Sequence, residues 1–230
     1  MKLTFLKAHP DVGPLRKSLF MPGGADRAYP HAKTITSFTE EIDLEKEGVV
    51  EYRAALLKYG HSTPGNKKGG CALLKGSLTK RLVNEPRRGV TDKSADTQNL
   101  VLDIDGLPLP VKLGATMGAK HVKKVAEGVL ALLPAELHEC SYVAVASSSF
   151  GLKDDKISIH LHFMLDKPAP VRELKQWVTS MNYTQVAIYD KLTLTDSKRN
   201  LKHIVDPCVV DASHIVYITP PLFGDTSKNP

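Results

Sequence analysis

The sequence predicts an α+β fold, with mixed or antiparallel sheets and flanking helices. Three observations carry this. Residues Lys156 to Phe163 alternate strictly: Ile157, Ile159, Leu161 and Phe163 share one face, and Lys156, Ser158, His160 and His162 the other, the period-two pattern of a strand. From Ala119 to Leu133 the apolar positions Val122, Val125, Ala126, Val129, Leu130 and Leu133 recur at helical spacing. Asn99 to Asp105 reads as a buried strand ending in acids. The predicted order is helix, basic loop, strand, helix, two strands, helix, strands. That order places helices against one face of a sheet.

Taken in order, residues 1–38 read as an irregular segment broken by Pro10, Pro14, Pro22-Gly23-Gly24 and Pro30. Ser37-Phe38-Thr39-Glu40-Glu41 reads as a hydroxyl cap followed by first-turn acids, predicting a helix from Thr39 to Tyr59 that Gly60 ends. Residues 61–97 are loop-rich and basic, with turn signals at Pro64-Gly65-Asn66 and Gly69-Gly70 and a short strand at Cys71–Leu74. The strand through Asp105 is expected to break from Gly106 to Pro110, and Pro134 closes the next helix. Tyr142–Ser149 and Ile157–Leu165 pair as an antiparallel hairpin across a connection at Phe150–Lys156. Pro168-Ala169-Pro170 opens a helix through Met181, and His203–Asp206 and Ile215–Ile218 form two short late strands. The domain reading is one folded domain over 39–223 and a polar tail or linker over 224–230.

Composition bounds the function classes. The chain has 230 residues, of which 42% are hydrophobic and 24% charged, a globular balance rather than a disordered one. No stretch approaches the ~18 consecutive apolar residues of a membrane span, and the apolar run in Met1–Lys7 is too short for a signal peptide. Cys71, Cys140 and Cys208 are scattered and odd in number, which speaks against a disulfide framework and a Cys-based zinc site. A cytoplasmic location follows as the expectation. The net charge is +6. Between Lys67 and Lys93 lie eight basic residues, among them Lys75, Arg81, Arg87 and Arg88, against only Glu85 and Asp92. Such a segment ahead of a carboxylate pair points to phosphate handling, and a solvated basic surface is the plainer alternative.

Three segments carry chemistry. In Leu102-Asp103-Ile104-Asp105 the two acids point to one face of a strand. Adjacent carboxylates repel unless a positive charge sits between them, and hard Mg²⁺ or Mn²⁺ takes such oxygen ligands. The plainer alternative is a strand end with two solvated acids. Lys156, Ser158, His160 and His162 form a polar row able to donate hydrogen bonds to phosphate oxygens, unless the row is merely a solvent face. Asp206 ends a short apolar run, with Asp211 five residues on, and Asp206-Pro207 also fits a turn.

Taken together, the order hydrophobic-Asp-x-Asp, Ser-x-His, hydrophobic-Asp resembles the archaeo-eukaryotic primase superfamily, closest to its phage and plasmid primase-polymerase branch. Ser147–Leu152, Ile157–Pro168 and Asp206-Pro207 followed by Val216–Phe223 are similar to segments of that branch, and the resemblance spans Phe38 to Phe223, strongest from Leu100 onward. It implies a core of two α/β units, one like an RNA-recognition sheet. It implies that Asp103, Asp105 and Asp206 bind two Mg²⁺ or Mn²⁺ ions, about 3.5–4 Å apart in such sites, with Asp211 as the fallback third acid. Ser158 and His160 would hold the incoming nucleotide's phosphates, helped by a basic residue for which Lys75 and Arg81 are candidates. The implied function is template-dependent primer synthesis on single-stranded DNA from NTPs or dNTPs, in phage or plasmid replication, without zinc. The polar end at Gly224–Pro230 suggests a helicase domain or other replication protein as a downstream partner.

Three other readings compete. His160-Leu161-His162 fits a replication-initiator nickase of the His-hydrophobic-His type, with Tyr183 or Tyr189-Asp190-Lys191 supplying the nucleophile; it leaves Asp103 and Asp105 unexplained. Val101–Gly106 looks like the nucleophile motif of a haloacid-dehalogenase phosphatase, but Leu107 follows and about a hundred residues precede it. A non-catalytic nucleic-acid-binding domain is the third. An intact cluster of like charges weighs against it, because such a cluster is costly without a task.

Overall fold

The computed structural model describes residues 2–7, 38–43, 53–57, 71–76, 78–80, 90–108, 121–147, 150, 156–195 and 197–218. They form a mixed α+β protein with antiparallel pairings and few helices. The chain divides into two compact units: Met1–Asn99 with Asp211–Pro220, and Leu100–Val210 with Pro221–Pro230. No helix among the described residues is long and apolar enough to cross a membrane.

The first unit holds a four-stranded sheet. Its strands are β1 (Lys2–Lys7), β2 (Phe38–Asp43), β3 (Cys71–Leu74) and β9 (Ile215–Tyr217), in the order β2-β1-β3-β9. Phe5, Leu73, Leu74, Ile215 and Val216 are buried here. Two expectations are corrected. The N-terminus, read as irregular, supplies a central strand, because β1 pairs with both β2 and β3. The helix expected from Thr39 to Tyr59 is a strand where it was to begin, and among the described residues of the span 53–57 are helical. Six registered pairs, Lys2↔Asp43 to Lys7↔Phe38, outweigh a local cap signature; tertiary pairing overrides propensity. Cys71–Leu74 is a strand, as expected. Beyond it the chain passes so close to residue 212 that a Cβ on Gly76 would lie 2.7 Å from Ala212 Cβ, and Gly76 N–H donates to Ala212 O at 2.8 Å.

The second unit is built on a three-stranded sheet ordered β4-β6-β5. β4 is Thr97–Pro108, its first three residues counted with the first unit; β5 is Tyr142–Ala146 and β6 is Lys156–Ala169. β5 and β6 pair antiparallel, Tyr142↔Phe163 to Ala146↔Ile159, the hairpin the sequence predicts. Leu100, Leu102 and Ile104 of β4 join Ile157, Ile159, Leu161 and Phe163 of β6 in one buried cluster. Helix α1 (Val122–Leu130) adds Val125, Ala126, Val129 and Leu130. Helix α2 (Val171–Thr184) adds Leu174, Val178 and Met181. Each fully buried aliphatic chain contributes about 1.5–3 kcal/mol.

Three boundaries differ from the sequence reading. β4 runs past Asp105 to Pro108, because Gly106 takes φ 75° and bends the strand rather than ending it. β6 continues to Ala169. The expected strand at His203–Asp206 reduces to one bridge, Ile104↔Val205. After α2 the chain makes a short helix α3 (Val186–Tyr189) and a two-stranded hairpin, β7 (Thr193–Leu194) with β8 (Leu201–Lys202). The hairpin is absent from the sequence reading.

Candidate functional site: a carboxylate face on β4

The site lies wholly within the second unit. Ser158 Oγ donates to Asp105 Oδ1 at 2.8 Å, and His160 Nε2 lies 3.4 Å from Asp103 Oδ1. As the β4 number falls by two the β6 number rises by two, so the strands run antiparallel with Asp105 opposite Ser158 and Asp103 opposite His160. These four residues alternate with the apolar positions that fill the core. They therefore occupy the opposite face of the sheet.

The third acid reaches the same face from the other side of β4. Asp105 N–H donates to Ile204 O at 3.0 Å, and Asp206 N–H donates to Asp103 O at 2.9 Å. With Ile104 bridged to Val205 and both in the core cluster, Asp206 stands opposite Asp103 and shares its face. Asp206 Oδ1 also accepts the Cys208 N–H at 2.8 Å, which fixes the turn into the 3₁₀ helix Pro207–Val210.

Asn182, which the sequence reading did not single out, holds this segment in place. It is fully buried on α2. Its Nδ2 donates to Val178 O at 3.0 Å and Val205 O at 2.8 Å, and its Oδ1 accepts from Ile204 N and Val205 N at 3.1 and 3.0 Å. An asparagine near a helix end carries no sequence signal for this. Only the register of 204–205 against α2 reveals it.

The electrostatics are concentrated. Asp103 and Asp105 keep 24% and 52% of their side-chain surface exposed, so Asp105 is the more open to solvent. Lys202 Nζ of β8 lies 3.6 Å from Asp105 Oδ2. Asp105 thus has a hydroxyl on one oxygen and an ammonium near the other. Ser158, His160 and His162 are buried, so the polar row of β6 is not a solvent face. Among the described residues His160 Nδ1 meets no hydrogen-bond partner.

The remaining sequence candidates fall in the first unit or outside the described residues. Lys75 belongs to the first unit; its ammonium is buried and donates to Asn99 O, and burial pushes its pKa down from 10.5 to about 7. Asp211 also falls in the first unit. Arg81, Arg87 and Arg88 lie outside the described residues. Lys202 is a basic residue that the structure puts beside Asp105, and the sequence reading missed it.

Among the described residues no three His, Cys, Asp or Glu side chains converge into a metal-holding group. Asp105 turns toward Ser158 and Lys202, and Asp206 toward Cys208 N–H. The donor chemistry nevertheless suits a hard cation: three carboxylates on one face of adjacent backbones, with oxygen ligands only. Comparison of the chain with protein-family models, curated proteins and solved structures finds no match.

Proposed function

We propose that the chain is a template-dependent nucleotidyltransferase of the primase-polymerase class, acting on single-stranded DNA. One observation carries the reading: Asp103, Asp105 and Asp206 share one face of neighbouring backbones, with Ser158 and His160 in register beside the first two. The finer assignment, a primase-like catalytic core of phage or plasmid type, rests on the resemblance in motif order.

Mg²⁺ or Mn²⁺ held by Asp103, Asp105 and Asp206 would neutralise the triphosphate and favour ionisation of the attacking 3′-hydroxyl. The chain's own residues then have separable tasks. The three carboxylates concentrate negative charge that only a cation relieves. Ser158 Oγ–H, released from Asp105 Oδ1 once a cation engages that carboxylate, and the His160 ring would donate to phosphate oxygens from the central strand β6. The 3′-hydroxyl gives its proton to solvent, its oxygen bonds to the α-phosphorus, the α–β anhydride breaks, and pyrophosphate leaves. Lys202 supplies a positive charge beside Asp105.

The test is synthesis on unprimed single-stranded DNA with labelled nucleotides and Mg²⁺ or Mn²⁺. The wild type is expected to make short products that Asp103→Ala/Asp105→Ala loses to background while remaining folded by circular dichroism at the assay temperature. Extension only from a supplied primer would leave a polymerase without initiation. No incorporation, with a covalent DNA–tyrosine adduct instead, would favour the nickase reading; Tyr183, whose Oη shares a 2.9 Å hydrogen bond with His203 Nε2, is the residue to map first.

A further inference from the structure

Apart from Lys202, the segment from the end of α2 to β8 has no task in the synthesis described above, yet its composition is distinctive. Tyr183, Val186, Tyr189, Leu194 and Leu201 are large apolar side chains left exposed on the second unit. Interleaved with them, Lys191, Lys198, Arg199 and Lys202 are exposed too. Exposed aromatic rings among cations are what a single strand needs, stacking for its bases and charge for its backbone.

The local structure gives this surface a fixed shape. Leu194 pairs with Leu201 and Thr193 with Lys202, so the two leucines share one face of the hairpin and Lys202 lies on the other. Thr195 N–H donates to Asn200 O at 2.8 Å, and Lys198 N–H to Thr195 O at 2.7 Å, closing a tight turn. Lys198 takes φ 55°, a left-handed conformation that costs an L-residue energy and that glycine would adopt freely. A lysine here puts a charge at the tip against the backbone's preference. Tyr183 is not loose either: its ring stands edge-on to His203 at 5.7 Å and 89°, with the hydroxyl hydrogen-bonded to the imidazole. A ring so held loses little freedom when a base stacks on it.

Lys202 joins this surface to the site, because its Nζ lies 3.6 Å from Asp105 Oδ2. We propose that the surface formed by the end of α2, α3 and the β7–β8 hairpin, with Tyr183 and Tyr189 as stacking platforms and Lys191, Lys198 and Arg199 as phosphate contacts, holds single-stranded DNA leading to the carboxylates. This rests on the reading of the site as a DNA-templated synthesiser, and it names the surface that presents the template.

The test is fluorescence anisotropy with a labelled oligo(dT) over a salt series. Lys198→Ala/Arg199→Ala is expected to flatten the slope of log affinity against log salt by about 1.4, since each single-strand phosphate contact contributes ~0.7. Tyr189→Ala is expected to weaken binding about fivefold or more at fixed salt, the lower end for one base–aromatic stack. Lys123→Ala/Lys124→Ala removes the same charge from the exposed face of α1 and is expected to leave the slope within about 0.3 of wild type. Equal flattening by both double variants would overturn the proposal, because the charge would then act only in bulk. A preference for single-stranded RNA of the same length would overturn the assignment to DNA. The two readings fail separately. Hairpin-dependent binding with no nucleotide incorporated would remove the synthesis and keep the surface. Incorporation with affinity indifferent to the hairpin would do the reverse.

Discussion

Asn182 shows how much of the site rests on one side chain that never meets a substrate. Its amide makes four hydrogen bonds, three of them to residues 204 and 205, next to Asp206. Asn182→Leu keeps the branched four-atom shape of the side chain and leaves the Ile204 and Val205 N–H groups buried without those acceptors. A buried unsatisfied donor costs about 1–3 kcal/mol, so the variant is expected to lose about 3 kcal/mol in urea unfolding. Below its midpoint, where it stays folded, synthesis should fall further than the folded fraction explains, because Asp206 is no longer held opposite Asp103. Activity that tracks the folded fraction alone would reduce Asn182 to a stability residue. Lys75 makes a different prediction at this scale. Its folded pKa is about 7 against 10.5 ordinarily, through burial. Between those values the unfolded chain binds the proton and the folded chain releases it, so stability rises with pH across that window and the penalty is fully present below it. Wild type is expected to gain stability relative to Lys75→Met between pH 7 and 9.5, by up to about 1.4 kcal/mol per pH unit. Parallel pH profiles would show that the ammonium is not the cause.

At the scale of elements, legibility in the sequence follows the reach of the interactions. The strict alternation of Ile157 to Phe163 and the helical spacing of Val122 to Leu130 are local patterns, and β6 and α1 appear where they predict. The acids of β4 and the Ser158–His160 pair were legible for the same reason: period two puts each pair on one face, and the antiparallel register brings the two pairs together. The misses were long-range. β1 and β2 exist through pairing with each other and, for β1, with β3; a hydroxyl followed by two acids cannot reveal a partner strand some thirty-five residues away. The β7–β8 hairpin has two residues per strand, too few for any periodicity. Lys202 and Asn182 escaped because their roles depend on which backbone passes beside them. For Lys75 the sequence offered a phosphate contact, whereas the ammonium is buried against Asn99 O, since the position just after β3 faces inward.

For the whole molecule, the decisive feature is the path of the chain. The second unit takes up the run Leu100–Val210, while the first is closed by a return of the chain at Asp211–Pro220. That return supplies β9, which pairs with β3 as Ala72↔Tyr217, Leu73↔Val216 and Leu74↔Ile215, and the Lys75 and Gly76 N–H groups donate to His214 O and Ala212 O. Contacts so distant in sequence carry a large loop-closure cost, set against burial of Ile215, Val216 and Ile218. A chain ending at Val210 lacks all of them and leaves β3 an unpaired edge. Hydrogen exchange of that truncated chain is expected to show β1 and β3 amides exchanging at least tenfold faster than in the full chain. β5, β6 and α2, whose core cluster contains no residue beyond Val210, should keep their protection. Uniform loss across both sets would mean that the two units fold as one cooperative body. Unchanged protection of β3 would mean that the returning strand closes the sheet without stabilising it. The expected split would make the carboxylate face a property of the second unit alone, because Asp103, Asp105, Ser158, His160 and Asp206 all belong to it.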